Sequence, residues 1–214
     1  MKHSLLRCVG LGAAVAALGG APAAAAKTPA GTATTVATPV DTSSCTEPAL
    51  TQPFLAWGDG NWYALAPGET AGDFTGAGWT LTGGARIVTA TLQDGTTGPV
   101  LDLPRGSQAV SPMICLTSDY PTARAMIRSL SGANGGSVGF SVSYAGTSTA
   151  TTPVQTGTFR TSGSDGVVGD WALSDPANLE PSTSPGWQPM RITLTATVKD
   201  FQVYNLYNDP MMRR

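Results

Sequence analysis

Every second residue is apolar in Val138, Phe140, Val142 and Tyr144, with Gly139, Ser141 and Ser143 between them. Met190, Ile192, Leu194, Ala196 and Val198 repeat that alternation. A two-residue apolar period sends side chains to opposite faces of an extended chain, so each run predicts a strand with one buried face. Further strands are expected at Phe54 to Trp57, Trp62 to Leu65, Trp79 to Thr82, Arg86 to Thr91, Ser107 to Val110, Met113 to Leu116, Ala123 to Leu130, Val154 to Arg160 and Phe201 to Tyr207. Nowhere does a helical apolar period persist for three turns.

Between these runs the chain is punctuated by turn residues. The link from Leu130 to Ser137 contains Asn134-Gly135-Gly136, residues that tolerate positive φ, and predicts a hairpin between its flanking strands. Gly163 to Gly166, and Ser174 to Gly186 with its three prolines, read as long surface loops. About eleven short strands without helices imply a two-sheet sandwich or a barrel. One-sided apolar faces favour the sandwich, so the expected fold is all-β: an antiparallel β-sandwich.

Composition divides the chain into three. Lys2, His3 and Arg7 precede a short apolar stretch from Val9 to Leu18 and a run of small residues ending at Ala26, which reads as an export signal cleaved after about residue 26. Cys8 falls within that leader. Lys27 to Ser44 is mostly Thr, Ala, Pro, Gly and Ser, a flexible spacer with little to bury. Cys45 to Pro210 is then one domain of ordinary size. The expected location is secreted, extracellular or at the cell surface, with no membrane span in the mature chain.

Without Lys2 and Arg7, ten of the 12 basic residues face 14 acidic ones, a net charge of −4, which argues against nucleic acid as a partner. Cys45 and Cys115 would remain in an oxidising compartment and are expected to pair, the alternative being two separate buried thiols.

The only histidine, His3, lies in the leader. A domain without imidazole cannot assemble Ser-His-Asp or Cys-His catalysis, and it loses the usual zinc sites. Two catalytic options remain: a carboxylate pair acting on a glycosidic bond, with candidates Glu47, Glu69, Glu180, Asp102 and Asp170, and a Ser-Lys dyad, which would require Lys199 or the spacer's Lys27. Binding requires less. Sugar rings need flat aromatic faces plus amides and carboxylates for their hydroxyls. Trp57, Asp59, Asn61, Trp62 and Tyr63, gathered in Trp57-Gly58-Asp59-Gly60-Asn61-Trp62-Tyr63, form the candidate ligand site. The competing expectation is that these aromatics fill the core around a merely polar turn. Trp79 is expected in the core, Trp171 and Trp187 flank the proline-rich loop, and Tyr204 and Tyr207 should point to opposite faces of one strand.

Two segments narrow the fold. Gly72-Asp73-Phe74-Thr75 followed by Gly78-Trp79-Thr80-Leu81-Thr82 resembles the opening of galactose-binding-like jelly rolls, and Phe201 to Pro210 resembles their last strand. Pro53 to Asp59, Leu65-Ala66-Pro67-Gly68, Ser111-Pro112 and Trp187-Gln188-Pro189 are similar to segments of a group of uncharacterised secreted actinobacterial proteins. The resemblance implies a carbohydrate-binding-module-type jelly roll. In many such domains a calcium joins the first and last strands, but the acidic positions that hold it are replaced here by Thr75, Tyr204 and Asn205. Asp73 and Asp209 are the carboxylates left for calcium, a cation that wants six to eight oxygens; no cofactor is expected. The sequence thus points to a non-catalytic module that binds a polysaccharide or cell-envelope polymer. The alternatives are a structural or adhesive envelope protein that binds other proteins and, more remotely, a carboxylate-dependent glycosidase.

Overall fold

A computed structural model describes residues 40–67, 69, 74–131, 136–160 and 168–209. The leader, most of the spacer, Asp73, Asn134, Gly135 and the expected 163–166 loop lie outside these residues.

The strands in chain order are β1 (Leu50–Thr51), β2 (Tyr63–Leu65), β3 (Thr80–Thr82), β4 (Arg86–Thr91), β5 (Thr97–Leu103), β6 (Gln108–Val110), β7 (Ile114–Leu116), β8 (Thr122–Ser129), β9 (Ser137–Tyr144), β10 (Val154–Arg160), β11 (Ala172–Leu173), β12 (Ala177–Asn178), β13 (Gln188–Thr195) and β14 (Phe201–Asp209). All pairings are antiparallel. The first sheet centres on β14: β8 lies on one side, carrying β11 and β12 beyond it, while β5 and then β2 share the other. The second sheet runs β10-β9-β13-β6-β3, with β7 also on β13. The chain crosses repeatedly between the two sheets, so the fold is an antiparallel β-sandwich of jelly-roll type.

The alternating runs explain the core. Val138, Phe140 and Val142 of β9, with Met190, Ile192 and Leu194 of β13, turn one apolar face inward. Opposite them lie Ala123, Ala125 and Ile127 of β8 and Phe201 and Val203 of β14, all fully buried. Trp79 is in the core as expected, and its indole N–H donates to the Pro67 carbonyl at 2.9 Å.

Several expectations are corrected. Phe54 to Trp57 is not a strand; Leu55–Trp57 forms a single 3-10 turn. Pro53 has no N–H to offer a ladder, and Gly58 at φ 78 reverses the chain, its N–H donating to Leu55 O at 3.0 Å. β8 and β9 are not a hairpin: β8 pairs with β14 and β9 with β13, so the link between them crosses from one sheet to the other. β5 was not expected, because Gly98 and Pro99 interrupt its apolar pattern. The expected loop from Ser174 contains β12, which pairs with β8.

Tyr204 and Tyr207 share a face instead of opposing one another. β14 advances three residues between them while its partner β8 advances two, from Met126 to Arg124. The additional residue is a bulge, with Asn205 at φ 51. It restarts the alternation, so Gln202, Tyr204 and Tyr207 all lie on the outer face of the first sheet, beside Arg128, Met126 and Arg124.

Candidate functional site

One end of that outer face is covered by residues 53–61. Phe54 is fully buried there, with edge-on rings of Tyr63 at 5.0 Å and Tyr207 at 5.5 Å. Asp59 secures the cover. Its Oδ2 accepts a hydrogen bond from the Tyr63 hydroxyl at 2.5 Å and an ion pair from Arg124 of β8, while Oδ1 accepts the Asn61 N–H at 3.1 Å. Burial works to raise its pKa, but the Tyr63 hydroxyl, the Asn61 amide and the Arg124 charge together hold it below the usual carboxylate value. The amide of Gln52 closes the loop by donating to Gly60 O at 2.6 Å.

The structure therefore divides the expected ligand residues into two groups. Tyr63 is 0% exposed and offers no ring face to a ligand, so for this residue the core expectation holds. Asp59 is engaged in bracing the turn. Trp57 and Trp62 are 41% and 40% exposed, and Asn61 is exposed. Folding brings Trp57, but not Trp62, to a groove of about 430 Å³, where it faces residues Leu92, Gln93 and Asp94 of the β4–β5 turn and Tyr204 and Asn205 of the β14 bulge.

Two features shape this groove. The Tyr204 hydroxyl accepts the Gln93 N–H at 3.3 Å, tying the turn to the bulge. Asp94 accepts both the N–H and the hydroxyl of Thr96 on its Oδ1, at 2.9 and 2.6 Å, which lowers its pKa and leaves an ionised acceptor beside the indole. A second hollow, also of about 430 Å³, is lined by Leu92 and Gln93 too and by Arg128, Asp170 and Trp171, so the two adjoin at the β4–β5 turn and together make the trough.

On the same outer face a row of side chains crosses the first sheet in register: Arg86, Asp102, Gln202 and Arg128 occupy opposed positions on β4, β5, β14 and β8, and Arg128 of that row lines the trough. Arg86 pairs with Asp102 at 2.5 Å, and Asp102 accepts the Gln202 amide at 3.2 Å. Gln202 Oε1 accepts from Arg128 Nε and Nη2 at 2.9 and 2.6 Å. Arg128 also lies 4.4 Å over the Trp171 ring, whose edge meets Tyr204 at a centroid distance of 4.6 Å. The row is hydrogen-bonded from strand to strand and ends, at Arg128, on the Trp171 indole. Sequence reasoning named Trp57 and noted Trp171, but Asp94 and Gln93 carried no signal, since their place depends on a bulge 111 residues away.

Cys45 and Cys115 form a disulfide with Cα atoms 5.5 Å apart. Asp209 accepts the Thr122 hydroxyl at 3.3 Å, and its pKa is pushed up to about 6, first by burial and then by the nearby charge of Asp59. Asp73, the other carboxylate considered for calcium, is outside the described residues, among which no three His, Cys, Asp or Glu side chains cluster as metal ligands. No helix of the described residues is long and apolar enough to cross a membrane.

No protein-family model matches the chain, and no curated protein matches it in sequence. Among solved structures it is similar to the CBM22-1 xylan-binding domain of Xyn10C from Paenibacillus barcinonensis, with 11% identity, a TM-score of 0.42 and coverage of 64% of this chain and 88% of that one. It is also similar to CsCBM6-3 from Clostridium stercorarium, solved in complex with cellobiose, with 14% identity, a TM-score of 0.39 and coverage of 61% and 86%. A third is the CBM22-1-GH10 modules of Xyn10B from Clostridium thermocellum complexed with xylohexaose, at 15% identity, a TM-score of 0.41 and coverage of 64% and 27%.

Proposed function

We propose that the chain is a secreted, non-catalytic module that binds a carbohydrate or cell-surface polymer in the trough on the outer face of the first sheet. The observation that carries this reading is the exposed indole of Trp57 across a groove from Asp94, Gln93 and Asn205. An apolar ring face beside an ionised acceptor and amides matches the two-sided chemistry of a pyranose, whose C–H face stacks while its hydroxyls bond. Leu55, 61% exposed on the same turn as Trp57, is the observation that favours the alternative of a protein partner.

Pull-down on insoluble polysaccharides, followed by a glycan screen with the full chain, tests the proposal. A glycan should be retained, and Trp57→Ala should weaken its binding by about tenfold or more while the far-ultraviolet circular dichroism and urea midpoint stay native. Trp62→Ala should have little effect on it, because Trp62 is not among the groove's lining residues. Retention of no glycan, or binding indifferent to Trp57→Ala, would overturn the reading.

A further inference from the structure

Another hollow, of about 360 Å³, lies between the turn after β9, the chain after β12 and the start of β13, and shares no lining residue with the trough. Its size is that of a small-ligand pocket. Trp187 and Tyr144, both half-buried, supply aromatic walls, and Val40, Ala145 and Pro189 add apolar surface.

Most of the polar groups around it already satisfy one another. The Tyr144 hydroxyl donates to Leu179 O at 2.7 Å, Thr147 Oγ1 donates to Tyr144 O at 2.8 Å, and Thr149 Oγ1 accepts the Tyr144 N–H at 2.9 Å. Gln188 donates to Ser182 O at 2.8 Å and accepts the Ser182 N–H at 2.7 Å. A sugar ring needs several free donors and acceptors at once, and this lining does not supply them.

Glu180 is different. Its carboxylate takes part in neither ion pair among the described residues, and its contact with the Asn178 amide is 3.5 Å long. The backbone is at φ 48, uncommon for a residue with a side chain, and the side-chain Oδ1 of Asn178 accepts the Glu180 N–H there at 3.0 Å. Its charge is felt at the Tyr144 phenol, whose pKa is raised by burial and, after that, by Glu180. Aromatic walls plus one uncompensated carboxylate favour a positive charge on an apolar body, since ring faces and carboxylate attract the same cation.

We propose that this hollow binds an organic ammonium group, with Glu180 as counter-charge and Trp187 and Tyr144 as walls. Such a group occurs in choline-type headgroups and in lysine-type side chains, and two probes separate these sources. The full chain, labelled with 15N, is titrated with choline and with Nα-acetyl-lysine methylamide, using the uncharged 3,3-dimethylbutan-1-ol as a neutral isostere of choline. The Trp187 indole signal should shift saturably with at least one cation and much less with the alcohol. Glu180→Gln, on an exposed side chain, should weaken that binding on the order of tenfold. Trp187→Ala, followed through the backbone amide of Gln188, should abolish it, and Trp57→Ala should leave it unchanged. Equal response to the alcohol, an unaltered affinity in Glu180→Gln, or no saturable shift with either cation would overturn the proposal, and none of these outcomes bears on the sugar trough.

Discussion

Asp59 and Asp209 sit near one guanidinium, Arg124, yet their surroundings displace them in opposite directions. Asp59, desolvated but bonded by Tyr63, Asn61 and Arg124, has its pKa lowered in the folded protein, so it stabilises the fold above its unfolded value near 3.8 and loses that contribution as the pH falls. Asp209, raised to about 6, binds its proton more tightly when folded, so its contribution is complete below pH 3.8 and is lost as the pH rises toward 6. At pH 7, Asp59→Asn should therefore lower the unfolding free energy by about 2 kcal/mol in urea titration, the cost of breaking a mostly buried pair. Asp209→Asn should raise it by about 1 kcal/mol once solvent screening is allowed for, and the gain should vanish below pH 4. Nuclear magnetic resonance titration of Asp209 in the Asp59→Asn variant should show its pKa falling, since one repelling charge is gone. The sequence placed Asp59 in the ligand site because it stands between two tryptophans. Its bracing role was unreadable, since Arg124 is 65 residues away along the chain.

At the scale of the element, the bulge in β14 decides where the trough lies. An unbroken two-residue period would send Tyr207 to the face opposite Tyr204; the additional residue returns it to the same face, where it seats Phe54 and thereby positions Trp57. Asn205 carries the turn at φ 51, a region that asparagine tolerates and β-branched residues do not. Asn205→Val should cost about 2 kcal/mol in urea unfolding and reduce glycan retention, whereas Asn205→Gly should remain within about 1 kcal/mol of wild type. Strands such as β9 and β13 were legible because each turns one apolar face to the core. β5 was hidden by Gly98 and Pro99, and the pairing of β8 was hidden because its partner β14 lies more than 70 residues away, where no local period reaches it. The outer face of the first sheet escaped for a related reason. Its row of Arg86, Asp102, Gln202 and Arg128 comes from four separate strands, and each residue alone looks like an ordinary solvated charge or amide.

For the whole molecule, the disulfide and the cover over the first sheet are separable supports. Cys45 lies on the arm leading into β1 of the first sheet and Cys115 on β7 of the second, so the bond joins the two sheets across a separation of 70 residues. In the chain-entropy model, closing a loop of that length contributes roughly 4 kcal/mol, a large share of a typical domain's stability. The paired substitution Cys45→Ser with Cys115→Ser should therefore lower the urea midpoint strongly, and a reducing agent should do the same to the wild type while leaving the double variant unmoved. Trp57 is held by other means: Phe54 is seated between Tyr63 and Tyr207, and Asp59 is anchored on Arg124, contacts that do not involve either cysteine. At a temperature where the double variant is still folded, its glycan affinity should match wild type within about twofold by affinity electrophoresis. A parallel loss of affinity and stability would instead mean that the arm before β1 helps to place the indole, and that the cover over the first sheet is tied to the cross-link after all.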